Sequence, residues 1–310
     1  MAWLLWLPLA GLPLVVHSNA VLTICIFSFL LGMLAVSFNL VFGFTGQLSM
    51  FHAASFGLSA YITAIAMAQW GVSFWIALVV ALAAMVVVSL AVGSVCFKFK
   101  LRAFYFAVVT LAFAELARLV VLNWNSVTNG TLGMMVMAKP TLWLPGFGIV
   151  PVGGTIGWYF FSLAGLFVTV AACSLVMRSW IGRAFAAIRL NEDLAQTLGV
   201  DIFRYKLLSF AIANVLAALA GAFYGFYTGY IDPGYLAIGQ SLDVISMVLL
   251  GGTGSVAGPM IGAFVLTALP HVIEVSAELR AMLYGAILIF VILVMPKGIV
   301  GTLIGWRRAA

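Results

Sequence analysis

Glu115 and Arg118 stand three residues apart inside an apolar run, a spacing that puts both on one face of a helix. Such a pair either neutralises itself so that the helix can sit in a bundle, or marks a path for a solute or proton. At this spacing the mutual ion pair is the cheaper explanation. Asp243 is the single acid in the run Ser241 to Leu250. A different chemistry is offered by Gly43-Phe44-Thr45-Gly46-Gln47-Leu48-Ser49, followed by His52, which sets glycines and hydrogen-bonding side chains between two apolar runs. The pattern fits a plain loop or a broken helix whose freed backbone lines a cavity. In the second case it supplies the hydrogen bonds that a zwitterion or urea-like solute needs on leaving water. No second His or Cys lies at ligand spacing from His52, so no metal site is expected. Gly252-Thr253-Gly254-Ser255-Val256-Ala257 formally matches G-x-G-x-x-A, but an apolar helix precedes it and Pro259 follows, so no dinucleotide is expected there. The phosphate-cradling pattern G-x-x-x-x-G-K-S/T is absent from the sequence, so the chain binds no ATP through such a loop. Asn129-Gly130-Thr131 matches a glycosylation sequon, a motif common by chance. Cys25, Cys96 and Cys173 fit no metal or disulfide framework and read as small packing residues. No cofactor is expected.

The elements that hold these residues follow from composition. Of 310 residues 65% are hydrophobic and 7% charged, and the mean hydropathy is +1.23. A soluble domain carries about 25% charged residues. Fourteen Lys and Arg with eight Asp and Glu cannot coat a soluble fold of this length. Soluble enzyme, nucleic-acid binder and secreted disulfide scaffold are therefore excluded, and so is a disordered chain. What remains is an all-α polytopic membrane protein, because each apolar run approaches the roughly 20 residues that cross a bilayer.

The runs are Ala20 to Phe42, Leu48 to Trp70, Val72 to Phe97, Ala103 to Leu122, Ile156 to Met177 and Lys206 to Tyr230. Two shorter ones, Tyr235 to Leu250 and Pro259 to Ile273, flank the second glycine-rich break, and Ala281 to Met295 is the last. Met1 to Val16 has Pro8, Gly11 and Pro13 and no basic residue, so it reads as a short first span or interfacial segment rather than a signal peptide. The expectation is a bundle of about 8–10 spans, some short or re-entrant, forming one domain over 1–310. Segments 98–102, 178–206 and 297–308 hold eleven of the fourteen basic residues. Lys139 and Arg280 fall on the other side and Arg118 within a span. The positive-inside rule then puts the first set, and both termini, in the cytoplasm and 124–155 outside.

In the run after Lys206, Ala213, Ala217, Gly221, Gly225 and Gly229 recur every four residues, a small-residue stripe that lets two helices approach closely. The polar segment 178–206 holds a short amphipathic helix, with Phe185 and Ile188 on one face and Leu194 and Leu198 on a following turn. Gly199 suits its end and Asp201 the start of the next span. Such a helix either lies on membrane lipid or docks in the groove of a soluble partner.

Several blocks together resemble the permease subunits of branched-chain amino acid ABC importers. They are Phe38-Asn39 through Ser49 with His52-Ala53-Ala54 and Gly57; Tyr105 to Phe113 with Glu115, Asn123-Trp124 and Thr128 to Thr131; Gly182-Arg183 to Arg189 through Ala195, Leu198-Gly199 and Tyr205-Lys206; Gly251 to Ser255 with Gly258-Pro259; and Met295 to Ile299. The second block and the extended outer loop look like the second, M, member of the paired permeases. The resemblance implies a non-catalytic subunit working with two ATP-binding subunits, a second permease as homo- or heterodimer, and an extracytoplasmic solute-binding protein. It also implies the bacterial inner membrane. The solute the resemblance implies is a branched-chain amino acid, or urea or a short-chain amide. Importer permeases carry an E-A-A-x-x-x-G loop that contacts the ATPase. Asp193-Leu194-Ala195-x-x-x-Gly199 has that spacing, with Asp for Glu and Leu for the first Ala. The expected coupling residues are then Arg183, Phe185, Ile188, Arg189, Asp193, Ala195, Leu198 and Gly199. The expected solute pathway is Asn39, Thr45, Gln47, Ser49, His52, Thr110 and Glu115. The rival readings are a secondary transporter coupled to an ion through Glu115 or Asp243, and a structural or proton-conducting subunit of a respiratory enzyme. Isolated histidines and one ion pair argue against the second.

Overall fold

The apolar runs become helices in the computed structural model, which describes residues 6–15, 18–99, 103–136, 139–144, 148–273 and 298–302, with 279, 282, 285, 286, 289 and 293. In chain order the helices are α1 (Trp6–Val15), α2 (Asn19–Thr45), α3 (His52–Trp70), α4 (Phe74–Lys98), α5 (Ala103–Asn123) and the single turn α6 (Asn125–Thr128). Then come α7 (Gly154–Arg178), α8 (Trp180–Leu190), α9 (Glu192–Thr197), α10 (Ile202–Thr228), α11 (Ile238–Gly251) and α12 (Ala257–Ile273). Two small antiparallel ribbons stand between them. Met134–Met135 pairs with Tyr230–Ile231, and Thr141–Leu144 pairs with Gly148–Pro151. The last run, Ala281 to Met295, and the basic residues Lys100, Arg102, Arg280, Lys297, Arg307 and Arg308 lie outside the described residues, apart from isolated helical positions in that run.

Five of the described helices are long and apolar enough to cross a membrane: α2, α4, α5, α7 and α10. The fold is that of an all-α polytopic membrane protein. α1 has only 10 residues, Pro13 among them. α11, at 14 residues, is shorter than a full crossing, and it meets α12 at the second break. α3 is less apolar than the five because it carries His52, Ser55, Ser59 and Thr63, all buried.

α2 is the most deeply enclosed of the five, packed by α7, α10, α11 and α12, while α10 also covers α3 and α4. Leu30, Met33, Leu34 and Phe38 of α2 form the main core with Phe161, Phe223 and Phe226, and Phe161 stacks on Phe223 with ring centres 4.3 Å apart. The three cysteines are buried and free.

The contact of α10 with α3 rests on small residues. A Cβ at Gly221 would come within 1.9 Å of the Phe56 carbonyl oxygen, and one at Gly225 within 3.0 Å of the Ala60 Cβ. Ala213 and Ala217 are fully buried. This close approach lets Ser59 donate to the Ala218 carbonyl at 2.6 Å and Ser55 to Asn214 Oδ1 at 2.7 Å. Gly229 departs from the stripe. It ends α10 with φ +69°, its N–H on the Gly225 carbonyl at 3.1 Å, so it is a helix cap and not a packing position.

Candidate functional site

The first break is built by Gly46. Its φ of +74° is one that only glycine adopts readily, and its N–H bonds the Phe42 carbonyl at 3.2 Å, which stops α2. The chain then runs unwound to His52. An unwound segment inside a bundle must find partners for its backbone. Here neighbouring helices provide them. Met50 N–H donates to Thr110 Oγ1 of α5 at 3.1 Å, and the Met50 carbonyl accepts from Ser241 of α11 at 3.0 Å. Phe51 N–H donates to Ser49 Oγ at 3.2 Å. Thr45, Gln47, Ser49 and His52 are all buried, so this is not a solvent loop.

Asn39 ties this end of α2 to the second break. Its Nδ2 donates to the Ser255 carbonyl at 2.9 Å and its Oδ1 accepts from Gly254 N–H at 3.4 Å. A Cβ at Gly43 would strike Asn39 Oδ1 and sit 3.1 Å from the Gly254 nitrogen, so glycine is what lets the two breaks meet. In the second break, a Cβ at Gly251 would come within 1.9 Å of the Gly258 carbonyl oxygen. The glycines therefore serve a tight helix-to-helix crossing.

The expected pathway residues divide by what their side chains already hold. Thr45 donates to the Val41 carbonyl at 2.6 Å and Thr110 to the Phe106 carbonyl at 2.8 Å. Ser49 accepts within the break, and Asn39 is spent on 254–255. His52 Nε2 faces Ser37 Oγ at 3.3 Å, and its Nδ1 has no partner among the described residues. Gln47 has neither amide atom bonded among the described residues. A buried amide left so costs about 1–3 kcal/mol per group, which makes Gln47 and His52 the places with capacity left for a guest. Glu115 does not join them. Five residues beyond Thr110 it lies about 140° round α5, held by Arg118 Nε at 2.9–3.0 Å on a face that leaves Glu115 34% exposed. That is the mutual ion pair, and it removes Glu115 from the break.

The polar segment is two helices. Ser179 caps α8 by accepting from Ile181 N–H at 3.2 Å, and Asn191 caps α9 by accepting from Leu194 N–H at 3.0 Å. The structure corrects the expected docking face. Phe185 and Ile188 are buried inside the chain, Phe185 in a cluster with Phe97, Phe106 and Phe210. Ala195 is buried as well, whereas Leu190, Leu194 and Leu198 are exposed. Arg183 and Asp193 face outward. Gly199 closes α9 at φ +85° with open space around it, and Asp201 caps α10 through Arg204 N–H at 3.1 Å. Glu192 pairs with the nearly buried Lys206 at 2.6 Å. A cleft of about 890 Å³ opens beside α9, lined by Phe97, Lys98, Asp193, Gln196, Phe203 and Lys206 among others. Arg189, itself exposed, reaches along the surface to both breaks. Its Nη1 donates to the Gly43 carbonyl and its Nη2 to Thr253 Oγ1 at 3.4 Å. Sequence reasoning names Arg189 but gives no sign of its contacts to the breaks, nor of Ser37, Ser241 and Thr253. Their contacts span long stretches of chain and leave no local pattern.

A bundle of long apolar helices with two glycine-rich breaks that meet each other and a capped helix pair between spans defines a polytopic α-helical membrane protein. Residues 20–292 match the family described as branched-chain amino acid transport system / permease component, and the chain belongs to that family. It is 27% identical over 286 residues to the high-affinity branched-chain amino acid transport system permease protein LivM of Escherichia coli K12, covering 86% of this chain and 66% of that protein. The chain thus spans just under two thirds of the LivM relatives' length. It is 25% identical to the LivH permease of Salmonella typhimurium, over 87% of this chain and 91% of that protein. A shorter match, 30% identical over 47% of this chain and 46% of that protein, is the autoinducer 2 import system permease protein LsrC of an Enterobacter species. No solved structure matches.

Proposed function

We propose that this chain is the membrane-spanning subunit of an ATP-driven importer in the bacterial inner membrane. It forms the path for branched-chain amino acids or a related small solute such as urea or a short amide. The chain itself catalyses nothing. Two ATP-binding subunits hydrolyse ATP, a second permease completes the path, and an extracytoplasmic protein delivers the solute. The segment 178–206 and both termini are cytoplasmic, and 124–155 is outside. The observation that supports the reading, beside family membership, is the split polar segment: α9 and its C-cap offer Asp193, Leu194 and Leu198 outward, while α8 buries one face, Phe185 and Ile188, against the bundle. ATP binding that closes the partner subunits displaces α9, α8 moves with it, and the spans exchange between two packings. Gln47 and His52 Nδ1 then meet the passing solute.

The second permease is supported by a contrast of surfaces. The exposed face of α4 is apolar, with Ile76, Val79, Val87 and Leu90, as lipid requires. The exposed face of α5 carries Glu115–Arg118 about a third exposed. Charges in mid-span are costly against lipid, which supports a protein partner beside this pair.

The test is uptake by vesicles holding the reconstituted complex. Leucine or urea uptake should need ATP on the α9 side and binding protein on the other. Ion-driven uptake by this chain alone would favour the secondary transporter. Cysteines at Gln196 and Thr131, labelled on intact cells by an impermeant thiol reagent, read the orientation. Labelling at Gln196 alone reverses it.

A further inference from the structure

Gly43 O lies in the last turn of α2, where helix carbonyls lose their partners. Its regular donor would be Gln47 N–H, but that group bonds the Val41 carbonyl instead, at 3.1 Å. α2 has no basic residue of its own in that turn to meet the negative end of the helix. The charge comes from another helix: the Arg189 guanidinium, at the end of α8, donates to Gly43 O. Its second arm reaches Thr253 Oγ1 in the other break. The side chain passes close to two glycines, and Gly254 is the one that leaves it room. A Cβ at Gly46 would lie 3.5 Å from Arg189 Cγ, and one at Gly254 would lie 3.3 Å from Nη1. The two breaks are thus tied twice, by Asn39 from within the bundle and by Arg189 from the helix that runs on through Asn191 into exposed α9.

Resting on the importer reading, we propose that Arg189 is the positioning residue that carries movement of the α8–α9 segment to both breaks at once. A planar guanidinium holds two acceptors in a fixed relation, which an ammonium cannot do. Withdrawal of α8 therefore frees the Gly43 carbonyl and Thr253 together, and the end of α2 and the start of α12 change packing as one event. An arginine that merely caps α2 would add stability without linking the two.

The experiment uses the full complex in vesicles with wild-type chain, Arg189→Lys, Thr253→Val and the double variant, reading leucine taken up per ATP hydrolysed, co-purification of the ATP-binding subunits, and the melting midpoint. Loss of one charge-assisted bond predicts about a tenfold fall in uptake per ATP for Arg189→Lys, with co-purification intact. Thr253→Val should fall in the same direction, and the double variant should be no worse than Arg189→Lys, since both remove one link. A lower midpoint with an unchanged ratio of uptake to ATP would show a static cap and overturn the proposal, as would full additivity of the two substitutions. Wild-type vesicles that take up nothing with ATP present would overturn the importer reading, and this proposal with it.

Discussion

α8 and α9 are separated by one residue and live in opposite surroundings. α8 buries Phe185 and Ile188 at 0% and 2% exposure and sends Arg189 to the breaks. α9 buries only Ala195 and leaves Leu194 and Leu198 at 59% and 74%. Both are amphipathic by pattern. The difference teaches that one helix of the pair is a piece of the bundle and the other a piece of its surface. A force applied to α9 meets little packing of its own and passes to α8.

Four substitutions sharpen or break that contrast, taken in order of their effect on the fold. Phe185→Ala should remove about 3–5 kcal/mol from the aromatic cluster, read as a lower melting midpoint and lost yield of the purified protein. If Leu194→Ala costs as much, the contrast fails. Ala195→Trp should cost roughly 1–3 kcal/mol by overpacking, because the methyl faces inward. It therefore weakens the chain itself, and a normal midpoint would mean that α9 floats free of the bundle. Glu192→Gln leaves Lys206 nearly buried beside a neutral amide and should cost about 1 kcal/mol, lost again in high salt if the pair is only a surface one. Asp193→Arg should change stability by less than about 0.5 kcal/mol, yet abolish solute-stimulated ATP hydrolysis in the reconstituted complex. Normal coupling in that variant would move the docking surface away from α9.

Much of the fold was legible because bilayer thickness writes itself into run length. Ala20 to Phe42 became α2 within three residues at its far end, and Ile156 to Met177 became α7 nearly unchanged. The run Leu48 to Trp70 begins four residues ahead of α3, since apolarity cannot show that 46–51 is unwound while Gln47, Ser49 and Phe51 stay buried. Periodicity correctly found the faces of the polar segment but not what covers them, so Phe185 and Ile188 were assigned outward. Gly229 fitted a spacing of four, and only its φ reveals a cap. The tie from Asn39 to Ser255 crosses 216 positions and has no local trace.

The less apolar character of α3 has a consequence for how the chain is made. Ser55 and Ser59 find their partners on α10, 159 residues downstream. A ribosome therefore delivers α3 to the membrane well before the helix that shields its hydroxyls exists. Until α10 arrives, α3 faces lipid with groups that only its own backbone can satisfy, and it depends on the insertion machinery or on α2 and α4 for shelter. Chains cut after Arg178 and tagged beyond Trp70 would report this: α3 should integrate incompletely in them and fully once α10 is present. Full integration of the short chain would mean that α3 needs no late partner. The order of synthesis is thus itself a constraint on which helix is free to be polar.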